Sequence, residues 1–282
     1  MTLKIARIAL FTLLPAELLL VVLLVSGVPV PAPLIAVAEA VVAAVLVLEA
    51  AVAYRLFRAA RRGGSDRRAA LREVRDRLVP DKVARLIGFE LKGTHSLVLW
   101  AARRRDGVPP GAVPVSYFRE ETFTRSLFLF AMVVEAAGVE VLLRGLGVPH
   151  GLRVLVLVID LYGIVIALAV HAACVTRPHV VTAGELRIRY GAFFDVRVPR
   201  ELIASVRLVR NRNEEGFIRV ADGTAAVVVS SQTNVIVELT EPVTVVRPLG
   251  RRAEVGTIRF FADSPEAVLA ALRPSPEPAL ET

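Results

Sequence analysis

Cys174 is the chain's one cysteine, so no intramolecular disulfide can brace any part of it. Lysine is almost as scarce. Lys4, Lys82 and Lys92 are the only ones, and every other basic side chain is arginine. With so much Ala and Val, this is the composition of a GC-rich bacterial genome, an actinobacterial one for instance. Four histidines, His95, His150, His171 and His179, are scattered along the sequence. His171 and Cys174 stand i, i+3 and share a helix face, but two ligands fall short of the about four that a metal site needs. Gly-rich phosphate loops, HExxH and GxSxG are all missing, as is any clustered Ser/His/Asp or Cys/His set in the polar segments. These absences argue against an enzyme, and we expect no cofactor or metal.

Apolar residues are what the chain has in plenty: 55% of it, with a mean hydropathy of +0.58. A soluble chain is nearer about 45–50% apolar. Four stretches, roughly 8–28, 33–54, 126–147 and 153–175, match the about 20 helical residues a bilayer crossing needs. Within each pair the connection is short and rich in Gly and Pro: Gly27-Val-Pro29 with Pro31 and Pro33, then Gly145-Leu-Gly147-Val-Pro149. Such loops join antiparallel neighbours. The expected membrane region is therefore four helices in two hairpins, 1–54 and 126–176. A cleavable signal peptide is the rival reading of the N-terminus, with Ala36-Val37-Ala38 resembling a cleavage site. Its apolar core would run well past the about 7–15 residues such peptides use.

The net charge of +8 is unevenly spread. Residues 55–125 carry seventeen Lys and Arg against eight Asp and Glu, whereas 177–282 carry fourteen against thirteen. The excess lies between the hairpins, where the positive-inside rule places it in the cytosol. That rule accounts for the high isoelectric point without a nucleic-acid partner. It also sets the expected topology: a multi-pass protein of the bacterial plasma membrane, with both termini and the 55–125 block cytosolic.

The two hairpins align with each other. Glu17 meets Glu135, Gly27-Val-Pro29 meets Gly147-Val-Pro149, Glu39 meets Asp160, and Glu49-Ala-Ala meets His171-Ala-Ala, at offsets drifting from 118 to 122. An ionised acid at mid-span costs about 2.5–3.5 kcal/mol on insertion scales. Glu17, Glu39, Glu135 and Asp160 are thus the leading candidate intramembrane sites, with Glu140 and His171 secondary. These groups can be hydrogen-bonding contacts that hold helices together, a proton or cation path, or a docking site for another membrane protein. Glu140 and Arg144, i and i+4, can pair on one helix.

Between the hairpins, Ser65-Asp66 can cap a helix running to Leu78. Pro80-Asp81 starts a second helix to about Arg105, with Val83, Ile87, Leu91, Val98 and Trp100 among its apolar positions. A basic amphipathic segment of this kind suits an anionic headgroup layer, so residues 65–105 are a candidate lipid contact. The alternative is that its apolar faces pack on the C-terminal domain. Residues 106–115 read as an extended connector back to the third span.

After Arg177 the period becomes two. Leu186, Ile188 and Tyr190 alternate with Arg187 and Arg189, and Phe194, Val196 and Val198 with Asp195 and Arg197. Strand-like runs follow at 202–210, 217–220, 225–230, 234–239 and 257–261. Ser264-Pro265 then opens a closing helix, and 274–282 reads as a disordered tail. The stretch HVVTAGELRIRYGAFFDVRVPRELIASVRLV, with Leu186, Ile188, Gly191, Val198-Pro199, Ile203 and Val206 at its key positions, resembles bacterial pleckstrin-homology-like domains. That resemblance implies a mostly-β barrel with a C-terminal helix over 177–273. It carries no catalytic residues and implies adaptor, oligomerisation or membrane-proximal binding roles. The arginines Arg187, Arg189, Arg210, Arg212, Arg251 and Arg252 of this domain read as solvated strand faces or, alternatively, an anionic-lipid patch.

Three functions remain open from sequence. The first is a non-enzymatic membrane protein presenting the β domain to a protein partner or to its own copies in a homo-oligomer. The second is a proton- or cation-coupled transporter or channel subunit using the membrane acids. The third is a lipid sensor acting through the 65–105 helices.

Overall fold

The computed structural model describes residues 31–64, 66–78, 81–248 and 250–273. The expected span at 8–28 with Glu17, its Gly-Val-Pro turn, Ser65, Pro80 and the tail 274–282 lie outside them, as does the side chain of Glu49. The described residues divide into two compact units, one containing 133–163 with the N-terminal part from 31 to 84, the other containing 85–132 and 164–273.

Three helices among the described residues are long and apolar enough to cross a membrane: Ile35–Arg62, Arg119–Gly145 and His150–Thr176. The first belongs to α1 (Ala32–Arg62), which starts at Pro31 with a further proline in its first turn and closes on Arg61 and Arg62. Proline fits the first turn because that N–H needs no helical acceptor, and cations suit the C-terminal dipole. The short helix α2 (Arg67–Leu78) follows; the Asp66 carboxylate accepts the Ala69 N–H at 2.6 Å, so Asp66 supplies the cap. The helices α4 (Arg119–Gly145) and α5 (His150–Thr176) form the second hairpin. Both α1 and α4 run further at their arginine-rich ends than the apolar stretches suggested. Hydropathy marks only the apolar part of a helix, whereas Glu, Arg and Ala prolong it through their own propensity.

The turn between α4 and α5 is built as the sequence implied. Gly147 adopts φ +70°, its N–H reaches the Arg144 carbonyl, and the Val148 N–H reaches that of Leu143. This is a Schellman stop with glycine at the left-handed position. Glu140 accepts from Arg153 across the hairpin at 2.5 Å, so its partner is not Arg144, the expected neighbour.

Helix α3 (Asp81–Ala101), which belongs to the other unit from Arg85 on, precedes two β-sheets. The first is antiparallel, in the order β1 (Val113–Val115), β2 (His179–Val181), β3 (Glu185–Tyr190), β4 (Phe194–Pro199). Its edge strand β1 comes from the stretch read as a plain connector. Three residues containing a proline give too short a period to detect, and at an edge Pro114 forfeits no obligatory ladder bond. A single 3₁₀ turn, Arg200–Leu202, leads into the second sheet.

That sheet holds β5 (Ile203–Arg212), β6 (Ile218–Ala221), β7 (Thr224–Val227), β8 (Gln232–Val246) and β9 (Arg252–Phe260), in the order β5-β8-β9-β7-β6, with β7 and β9 parallel. Strand β8 extends well past the expected end because Glu241-Pro242 falls in an irregularity of its ladder with β9 rather than ending it. Among the described residues the strands thus form two sheets and no closed barrel. The final helix α6 (Pro265–Leu272) begins at Ser264, whose side chain makes no capping bond.

One core joins the sheets. Leu186, Ile188, Val198, Val235, Ile258 and Phe260 are fully buried in it, with Val268 of α6. Burying each large apolar side chain contributes about 1.5–3 kcal/mol. Tyr117 and Phe118, just before and at the foot of α4, and Cys174, in the last turn of α5, belong to the same core. The residues leading into α4 and the last turn of α5 are therefore part of the β region's core.

Candidate functional site

The foot of α4 is held by both sheets. Glu121 accepts the Ser230 N–H at 2.9 Å from the β7–β8 turn and the Arg125 guanidinium on its other oxygen. Arg125 lies over the Phe118 ring and donates to the Tyr190 hydroxyl of β3 at 3.0 Å. Asp263, after β9, accepts the Ser116 hydroxyl at 2.5 Å and the Arg119 N–H at 3.2 Å. A carboxylate at the first N–H of a helix also complements the helix dipole. Nothing in the sequence marked Asp263, which is remote from α4 along the chain.

Beneath this clamp lies a buried polar cluster. His179 is fully buried and stacks on Tyr117 at 4.6 Å. Its Nδ1 accepts the Arg189 backbone N–H, so the ring proton sits on Nε2, which donates to the Phe261 carbonyl at 2.9 Å. Burial, with the nearby Arg189 charge adding to it, pulls the imidazole down to about 4. Tyr117 accepts the Gly191 N–H at 2.7 Å and neighbours Cys174 Sγ; burial holds its phenol well above the ordinary value. Gly191, at φ +49°, leaves its vacant Cβ position only 3.1 Å from Cys174 Sγ, so the turn accepts no side chain here. Burial likewise raises the Tyr190 phenol.

Arg189 corrects the expectation of a solvated strand face, for it is only 1% exposed. The loop after α3 covers it: Arg189 donates to the carbonyls of Pro178 and Asp106. Asp106 also donates its N–H to Thr176 and pairs with Arg177 at 2.8 Å. Arg187 bonds Asp195 across the β3–β4 pair, and Arg210 reaches Gln232 and Glu120. Arg212, Arg251 and Arg252 are exposed.

Helix α3 packs through a face of which the sequence reading singled out only Trp100. Phe89 meets Phe193 edge-on, Gly93 backs onto Ala169, Ser96 is fully buried, and Trp100 meets His171 at 5.8 Å. Positions 89, 93, 96 and 100 follow helical spacing. Close approach to α5 requires small residues at 93 and 96, so the larger apolar side chains fall elsewhere. Ile87, Leu91 and Val98, read from sequence as facing a headgroup layer or, alternatively, the C-terminal domain, are exposed, Leu91 and Val98 by about two thirds.

Where α3 ends, a groove of about 590 Å³ opens, lined by Trp100, Arg103, Arg104, Arg105, Arg119 and Thr176 among others. Arg103 stands at φ +53°; its N–H reaches the Trp100 carbonyl and the Arg104 N–H that of Leu99. This is the same Schellman stop as at Gly147, with arginine in the left-handed position.

Of the acids singled out from sequence, Glu17 lies outside the described residues. Glu39 and Glu135 are exposed and Asp160 is half-buried. None of the three makes an ion pair or side-chain hydrogen bond among the described residues. No group of three or more His, Cys, Asp or Glu among the described residues is placed to hold a metal ion. His171 is buried between Trp100 and Phe118, with Nδ1 unpaired. Comparison of the chain with family models, with curated proteins and with solved structures gave no match.

Proposed function

We propose that this chain is a non-enzymatic integral protein of the bacterial plasma membrane, whose hairpins hold a cytosolic pleckstrin-homology-like domain for binding a protein partner. The observation carrying this reading is the shared core, in which Tyr117, Phe118 and Cys174 fuse the ends of α4 and α5 to the sheets. Two β-sheets followed by the closing helix α6 are compatible with the family likeness; the open sheets and the parallel β7–β9 pair depart from a simple barrel.

The β1–β2 ladder supports the expected topology. These strands flank α4 and α5 in the chain yet hydrogen-bond to each other, so both must lie on one side of a bilayer. The hairpin between them then crosses an even number of times. The groups that resemble catalytic residues, His179, Tyr117 and Arg189, are engaged in bonds that hold the domain together, which favours a binding role.

The outer edge of β5, with Leu208 and Val209 exposed, is the proposed contact surface. Exposed edge strands are where further chains add. Cross-linking in native membranes, comparing wild type with Leu208→Asp/Val209→Asp, tests it. Loss of a specific cross-linked protein, with thermal unfolding unchanged, supports this surface; an identical set of cross-links removes it.

A second reading, a proton- or cation-coupled transporter or channel subunit, draws support from Glu39 and Glu135, which have no partner among the described residues on their apolar helices. It requires flux in proteoliposomes that Glu135→Gln abolishes. Wild-type protein without flux under any cation or pH gradient rules it out.

A further inference from the structure

We infer that the arginine groove at the end of α3 is a binding site for the phosphate of an anionic lipid headgroup. The inference rests on the membrane reading above and adds a ligand and its residues. Arg103, Arg104, Arg105 and Arg119 line one groove, and none of them pairs with a carboxylate among the described residues. Other arginines of the same unit are matched: Arg125 with Glu121, Arg177 with Asp106, Arg187 with Asp195, Arg259 with Glu214. Asp106, the acid closest in sequence to the triplet, is taken up by Arg177. Four guanidiniums around one cavity repel each other unless an anion sits among them, and guanidinium forks match phosphate oxygens in pairs.

The backbone points the same way. Arg103 occupies the left-handed position of a helix stop, where Gly147 serves at the end of α4. Glycine would relieve that conformation, so arginine is held there against a local cost. Strain of this kind is characteristic of ligand sites.

The surroundings select a lipid over free phosphate. The groove adjoins Arg119, the first residue of α4, and Thr176, the last of α5, which is headgroup level if these helices span. Trp100, of the amphipathic type that settles at such interfaces, lines it. The exposed row Ile87, Leu91 and Val98 on α3 offers an apolar surface for acyl chains. The volume is within the range of small-molecule sites.

Trp100 is the chain's only tryptophan and reports on the groove directly. Full-length protein in neutral detergent is titrated with short-chain phosphatidylglycerol, short-chain phosphatidylcholine or inorganic phosphate, following Trp100 emission. We expect a saturable change with phosphatidylglycerol, weakened by added salt, and little with the other two. Arg104→Ala/Arg119→Ala should weaken it roughly tenfold or more. Arg103→Gly is the decisive variant, because it should raise the thermal midpoint while lowering lipid affinity, a pairing that structural damage cannot produce. Equal responses to phosphatidylcholine, saturation by phosphate alone, or wild-type affinity in both variants overturns the lipid site. Flotation of cell membranes separately tests the parent reading: a chain that floats but shows no saturable binding leaves membrane insertion standing and removes only the groove.

Discussion

The Tyr117 hydroxyl accepts the Gly191 backbone N–H at 2.7 Å, fastening the residue that leads into α4 to the turn between β3 and β4. Tyr117→Phe keeps the ring but orphans a buried N–H, which costs about 1–3 kcal/mol. Denaturant unfolding of the purified full-length protein should show this loss, with the near-ultraviolet spectrum of the folded state largely kept.

His179 makes stability depend on pH. Its folded-state value is about 4 against about 6.5 when unfolded. The unfolded chain therefore binds the proton first, and the contribution of the neutral ring, fully present above about 6.5, drains away as pH falls toward 4. The difference is about 3 kcal/mol. The thermal midpoint of wild type should fall more steeply between pH 7 and 4 than that of His179→Gln. Parallel curves for the two proteins contradict this assignment.

Gly93 faces Ala169 so closely that an added Cβ would sit 3.3 Å from the alanine methyl. Gly93→Ala should be close to neutral, because the helix-propensity gain of about 1 kcal/mol offsets a small displacement. Gly93→Leu should push α3 off α5 and cost on the order of 2–3 kcal/mol through overpacking. Thermal shifts of the two variants, together with proteolysis within α3, distinguish this packing from a loosely tethered helix.

The fragment 178–273 should fold poorly alone. It lacks β1, so β2 is left an unpaired edge, and Tyr117 and Phe118 are missing from the core. Adding residues 111–118 through a flexible linker should restore dispersed amide signals in solution NMR; equally good spectra from both fragments would show β1 to be dispensable.

Glu135 lies exposed on α4 with no described partner. In a bilayer an acid in that position is costly, so it needs cover from another helix or another copy. Glu135→Leu should change the oligomer distribution in mild detergent if a second copy supplies that cover, by loss of the larger species in analytical ultracentrifugation.

Much of the architecture was legible in sequence because it follows period and punctuation. The alternation at 186–190 and 194–198, the Gly-Val-Pro turn before α5 and the helix start at Asp81 each carry their own local physics. What escaped depends on contacts remote in sequence. The cap that Asp263 gives α4, the burial of Arg189 and the small-residue face of α3 exist only once distant segments meet. The groove is an intermediate case. Arg103, Arg104 and Arg105 were visible as a basic run, but their convergence with Arg119 around Trp100 needed the turn at Arg103.

Strand β1 leaves the ribosome before α4 and α5, whereas its partner β2 leaves after them. The first sheet cannot be completed while the hairpin is still being made. During synthesis the segment around Val115, Tyr117 and Phe118, all buried in the finished protein, must wait with its apolar side chains uncovered until the hairpin has been delivered. Assembly of the β region is thereby timed to follow placement of the helices, and a chain stalled between them would display that segment as a target for chaperones or proteases.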